Sequence, residues 1–169
     1  VTAAAYRTGM VANPQTLSDI FATETLGSPE NAVGFVLWRV VHRYVREIDR
    51  ILAPVGLTHL QFTVLAMAGW LLREGEAVTQ VTLARFGDIH PMQVSQVLKA
   101  LEAKGLIARP RSAADTRAKS VAVTEAGVDA LRRAMPLAIA VQARLFGQAG
   151  RPGGKFLDMM LRFDRPASD

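Results

Sequence analysis

Between residues 79 and 124 the chain changes habit twice, and this succession restricts its fold more than any other feature of the sequence. Pro91 is tolerated in a first helical turn, and "PMQVSQVLKALEAK" then sets Val94, Val97, Leu98 and Leu101 on one helical face. Gly105 ends that helix, because glycine takes the left-handed conformation of a Schellman stop while Leu106 packs back on Leu101. "LIARPRS" and "KSVAVT" follow, strand formers in partial alternation around "AADTRA". The spacing predicts a two-stranded hairpin with Pro110 on an edge. Upstream, Thr79 caps a short helix, "QVTLARFG", that stops at Gly87.

Short helix, tight turn, longer helix and hairpin is the plan of a winged helix-turn-helix, in which the second helix presents its outer face to the major groove of DNA. With Val94, Val97, Leu98 and Leu101 inward, the outward residues are His90, Met92, Gln93, Ser95, Gln96 and Lys99. Gln pairs with adenine, Ser reaches phosphate or base edge, and Lys neutralises phosphate. In the hairpin, Arg117 and Lys119 fall at or near the tip, where a guanidinium can enter a minor groove. Arg109 and Arg111 flank it, and Asp115 is placed to hold the tip or orient an arginine. Six cations between Lys99 and Lys119 against Glu102 and Asp115 supply +4 of the whole net charge of +5. A solvated helix face and an idle basic loop would show the same residue types one at a time. Their occurrence in tandem favours the DNA contact.

The 169 residues suit one domain with a helical extension, and with 50% hydrophobic and 21% charged residues general disorder is not expected. No apolar run reaches the roughly 20 residues that span a bilayer, and no secretory signal is read at the start, so a cytoplasmic protein without membrane association is expected. Zero cysteines exclude disulfides, thiolate metal sites and thiol chemistry. Residues 1–27 read as a flexible or loosely docked arm in which "TLSDIFATETL" allows a short helix. Ser28, Pro29 and Glu30 open a helix to about Leu52 whose stripe is Leu37, Val41, Tyr44, Ile48 and Ile51. "APVG" stops it, and "THLQ" offers a capping box, Thr58 with Gln61, for a helix over 59–72. Thr124 caps a last long helix over 125–146, striped by Leu131, Met135, Ala138, Val141 and Leu145 and kinked at Pro136; "KFLDMMLRF" is a final amphipathic turn or two. These terminal helices carry more apolar surface than a small winged-helix core covers, so they are expected to interlock in a homodimer that reads a pseudo-palindromic site. The expected layout is an arm at 1–27, a dimerisation helix at 28–57, a winged helix-turn-helix at 58–124 and C-terminal dimerisation helices at 125–165. The expected fold class is mainly α with a small two- or three-stranded β wing.

"GLTHLQFTVLAMA", "VTLARFGDIHPMQVSQVLKALEAKGLIAR" and above all "DTRAKSVAVT" resemble the MarR family of transcriptional regulators, whose wing carries Asp-x-Arg-x-Lys before a strand and Thr. The likeness runs from about residue 31 to 163. It implies a dimeric regulator, usually a repressor, whose DNA binding responds to a small, often aromatic or phenolic ligand. It also implies that Gln93, Ser95 and Gln96 face bases, that Arg117 is the minor-groove arginine and that Asp115 is its partner. His90 stands where the family often has Ser. A ligand pocket is expected between the dimer helices and the reading head, with Trp38, His42, His59, Phe62, Met67 and Trp70 as candidate lining, although such residues on helices are more often core.

Two other classes remain open. An enzyme is disfavoured: no catalytic residue, cofactor or metal is expected, since the three His are scattered, Gly-x-Ser-x-Gly is absent, and "AGRPGGKF" puts Ala149 and Phe156 at key positions of a phosphate loop. A ligand-independent architectural DNA binder, or a partner-recruiting regulator, has the same sequence signature.

Overall fold

Side-chain caps mark where most of the helices of this protein begin. The computed structural model describes residues 11–75, 77–110 and 120–164, and the chain divides into two compact units, Val1–Arg43 and Tyr44–Asp169. In the first unit Asn13 caps α1 (Pro14–Thr23), its side chain accepting from Gln15 N at 2.9 Å. Ser28 does not open the long helix expected of it. It caps a 3-10 turn, Pro29–Asn31, because its hydroxyl bonds both the backbone N–H and the carboxylate of Glu30, and Asn31 Nδ2 reaches back to Leu26 O at 2.8 Å. Such local side-chain bonds compete with helix propagation. Ala32 is extended, and α2 (Val33–Leu52) starts after it. Of the expected α2 stripe, Ile48 is buried and Tyr44 and Ile51 are half-buried, whereas Leu37 and Val41 are each 46% exposed in the single chain.

In the second unit the capping box forms as predicted: Gln61 N donates to Thr58 Oγ1 at 3.2 Å and Thr58 N to Gln61 Oε1 at 3.3 Å, opening α3 (His59–Leu72). Val64, Leu65 and Ala68 of α3 are fully buried at the centre of the core. There follow β1 (Val78–Thr79), α4 (Gln80–Phe86), α5 (Pro91–Ala103), β2 (Ile107–Ala108), β3 (Ser120–Val123), α6 (Glu125–Phe146) and α7 (Lys155–Asp164). The strands form an antiparallel sheet in the order β1-β3-β2, with Val78 opposite Val121 and Ile107 opposite Val123. The hairpin therefore gains a third strand. Two residues are too few to show alternation, which is why 78–79 read as turn and cap.

Thr124 joins the wing to α6. Its hydroxyl accepts from Gly127 N at 3.1 Å and donates to Gly105 O at 2.7 Å, so one side chain caps α6 and holds the stop of α5. That stop is a Schellman motif, with Leu106 N bonded to Leu101 O at 3.0 Å, Gly105 N to Glu102 O at 2.9 Å, and Gly105 at φ +69°. The buried face of α6 is Gly127, Ala130, Ala134, Ala138 and Val141. Met135, expected in the stripe, lies outside it, because small residues form the line of closest approach. The helix continues as one element through Pro136. Among the described residues no single helix is long and apolar enough to cross a membrane.

Candidate nucleic-acid interface

The turn between α4 and α5 fixes the angle at which α5 is presented. Thr79 Oγ1 accepts from Thr82 N at 3.1 Å to start α4, and Gly87 N and Ile89 N close its end on Leu83 O and Ala84 O, both at 3.0 Å. Asp88 between them has φ +48°, a conformation that Asp tolerates better than most residues. Gln80 Nε2 donates to Pro91 O at 3.0 Å and so ties the first turn of α4 to the first turn of α5. His90 caps α5: Met92 N donates to His90 Nδ1 at 3.3 Å. In that bond Nδ1 is the unprotonated nitrogen, which leaves Nε2–H as the outward donor.

Val94, Leu98 and Leu101 of α5 are fully buried and Val97 nearly so. On the opposite side His90, Met92, Gln93, Gln96 and Lys99 are exposed, and Ser95 is half-buried at the margin. The sequence-derived face is thus assembled, with Ser95 the least accessible member. Arg109, just after β2, is half-buried and its Nε is enclosed without a hydrogen-bond partner among the described residues. Pro110 O accepts from Ser120 N at 3.1 Å and from Ser120 Oγ at 3.2 Å, closing the base of the hairpin. Arg111, Asp115, Arg117 and Lys119 lie outside the described residues. Lys104, one of the six cations in the basic focus, points elsewhere: its Nζ donates to Gly56 O and to Gln61 Oε1, each at 2.6 Å. Nothing in the spacing of the sequence announces that pairing or the Gln80–Pro91 bond, since the partners are set by the turn and by helix crossing.

The six candidate ligand-lining residues are distributed between the two units. In the first, the rings of Trp38 and His42 lie against each other tilted by 39°, with centroids 4.1 Å apart, and His42 Nδ1 lies 2.7 Å from Trp38 O. In the second, His59 is half-buried with the edge of Tyr44 against it at 5.4 Å, and its N–H donates to Asp49 Oδ1 at 2.6 Å. Burial pushes the His59 pKa below the usual histidine range, with Asp49 opposing the shift. Phe62 and Met67 pack against the core, while Trp70 is exposed under the Arg73 guanidinium, 3.3 Å from its ring centroid. Two shallow clefts of about 390 Å³, one at Val81, Thr82, Arg85 and Phe86 and the other around Phe21, Leu26 and Phe35, are lined by none of the six.

Comparison with known proteins agrees with this geometry. The MarR family model matches residues 57–119. The HTH-type transcriptional regulator YdcH of Bacillus subtilis (strain 168) is 34% identical over 121 residues, 72% of this chain and 82% of the relative. Two solved structures of the repressor CouR are similar, the one bound to p-coumaroyl-CoA being of the protein from Rhodococcus jostii RHA1. That bound to a 23-mer DNA duplex is 29% identical with TM-score 0.69, covering 83% of this chain and 98% of the other. That bound to p-coumaroyl-CoA is 27% identical with TM-score 0.68, covering 80% and 91%. The repressor Rv2887 of Mycobacterium tuberculosis is 30% identical over 76% of this chain and 90% of its own. Its structure with salicylic acid has TM-score 0.57 at 28% identity, covering 79% and 96%. The fold and the α4–α5 face define a winged helix-turn-helix DNA-binding protein. The chain belongs to the MarR family, a family of transcriptional regulators and not of enzymes.

Proposed function

We propose that this chain acts in the cytoplasm as a homodimeric repressor that binds a pseudo-palindromic operator and is released or retained by a small aromatic or phenolic ligand. The observation that carries the DNA reading is α5 itself: its apolar side is fully buried and braced by α4, which leaves Gln93, Gln96 and Lys99 exposed in one row. Gln93 and Gln96, with Ser95 at the margin, read base edges; Lys99, Arg109, Arg111 and Lys119 neutralise phosphates; Arg117 enters the minor groove with Asp115 orienting it. His90 Nε2–H donates to the backbone beside the helix start.

The residue blocks 1–27, 28–57, 58–124 and 125–165 serve as arm, dimerisation helix, reading head and C-terminal dimerisation helices. Exposed apolar side chains support self-association: Leu37, Trp38 and Val41 on α2, and Met159, Leu161 and Phe163 on α7. The ligand reading is supported by the relatives that hold p-coumaroyl-CoA and salicylic acid, and by the aromatic character of Trp38, His42, His59, Phe62, Met67 and Trp70. A duplex selected from random-sequence DNA by the protein, titrated by fluorescence anisotropy at two salt concentrations, tests the DNA reading. Arg117→Ala is expected to weaken binding about tenfold, and affinity is expected to fall steeply with salt. Sequence-preferring affinity indifferent to both salt and Arg117 would overturn it.

A further inference from the structure

Lys104 belongs by sequence to the basic focus that faces DNA, but its side chain is engaged on the protein. It occupies the C-cap of α5, where its backbone N–H bonds Ala100 O and Glu102 O. A cation there is favourable toward the negative end of the helix dipole in any case, and that alone would leave the ammonium free in solvent. Instead Nζ spans to the other side of the reading head, to Gly56 O and Gln61 Oε1, each at 2.6 Å.

Both acceptors belong to one local structure. Gly56, at φ +77°, ends the turn after α2 and exposes its carbonyl; Gln61 Oε1 is the oxygen that also accepts from Thr58 N at 3.3 Å in the capping box of α3. One oxygen therefore serves the start of α3 and the end of α5 together, and the bond from the ammonium is charge-assisted. Neither acceptor is a carboxylate. The contact thus orders the ammonium without neutralising it.

We propose that Lys104 is a positioning residue for operator recognition: it ties the end of α5 to the first turn of α3, and makes no phosphate contact of its own. The inference rests on α5 being the DNA-reading helix. At the far end of that helix the Gln80–Pro91 bond and the His90 cap supply the matching restraint, so α5 is fastened at both ends by polar contacts and between them by its buried side. A recognition helix loosened at its C-terminal end samples angles at which Gln93 and Gln96 no longer address adjacent bases together.

The test compares log affinity against log salt for a duplex selected by the wild-type protein. Lys104→Met is expected to bind about fivefold more weakly at every salt concentration with the slope unchanged, since one surface-exposed charge-assisted contact is lost and no counterion-releasing contact goes with it. Lys99→Ala, by contrast, should lower the slope by about one. Gln61→Met, which leaves every charge in place, should weaken binding by about the same factor, and the double variant should be no weaker than about twofold beyond either single. Lys104→Arg, which keeps charge and donors, should bind as wild type. Gln61→Met carries the test alone if Lys104→Met does not fold. Wild-type affinity in Lys104→Met, or a slope lowered by about one, would overturn the tether and leave the DNA reading standing. A wild-type protein without sequence preference would overturn both.

Discussion

His59 opens α3 with its ring half-buried against Tyr44 and its backbone N–H on Asp49. Burial disfavours the imidazolium there more than the Asp49 carboxylate favours it, so the folded protein holds the ring's pKa below that of the unfolded chain. With the folded value depressed, the unfolded state binds the extra proton first. The contribution is complete above the unfolded value of about 6.5 and is lost as pH falls from there toward the folded value. The expected outcome is a melting temperature lower at pH 5.5 than at pH 7.5, with a smaller difference in His59→Gln; equal differences in the two proteins would show that other groups set the acid side. His90, by contrast, is exposed, and its Nδ1 accepts from Met92 N. One residue type is thus half-buried at the start of one helix and an exposed cap at the start of another.

Gly127 is the point where wing and α6 meet most closely. A Cβ built there would lie 2.1 Å from Leu106 O and 2.8 Å from Val123 Cγ1, and neither the strand backbone nor the helix start can retreat without breaking the Thr124 cap. Gly127→Ala is accordingly expected to destabilise the protein by about 3 kcal/mol, read as a shift in the denaturant midpoint at constant slope. Elements of this kind divide by how much of their cause is local. The caps at Thr58, Thr79 and Thr124 and the stop at Gly105 were legible because donor and acceptor lie within a few residues of one another. The inward set of α5 was legible because its period is helical and its face fully apolar. β1 was not, since two residues become a strand only by pairing with Val121 and Ser120 some forty positions on. On the buried face of α6, Ala138 and Val141 belong to the expected stripe but Gly127, Ala130 and Ala134 do not, for a related reason: small residues mark close approach, and close approach is known only once the neighbour is in place. Ser28 misled because the same Ser-Pro-Glu start serves a single 3-10 turn when Glu30 bonds Ser28 rather than the next helical turn. For the candidate site, the sequence showed which residues of α5 face outward but not that Lys104 is bound to α3.

At the scale of the whole molecule the unresolved balance is apolar surface. Val33, Leu37, Trp38 and Val41 of α2 are exposed in the single chain, and so are Met159, Leu161 and Phe163 of α7, though both helices are strongly amphipathic. Scattered exposed leucines are ordinary, but Val33, Leu37 and Val41 recur at helical spacing on α2, as Met159 and Phe163 do on α7, and such stripes are the signature of surface that a partner covers. On the proposed function that partner is a second copy: a two-fold axis would set two reading heads about one helical turn apart on DNA, and the binding free energy of the two heads would be gained in one event. Sedimentation is expected to give twice the chain mass of 18.3 kDa. Leu37→Glu and Phe163→Glu each place a carboxylate in one of these stripes, and each is expected to shift the mass toward that of one chain at micromolar concentration. The same variants should lose operator affinity by far more than tenfold, because a lone head keeps only half the contacts, while a half-site duplex should bind them as it binds wild type. If both variants sediment as wild type, the exposed stripes of α2 and α7 are not where the copies meet, and the spacing of the two heads must be set by other surfaces.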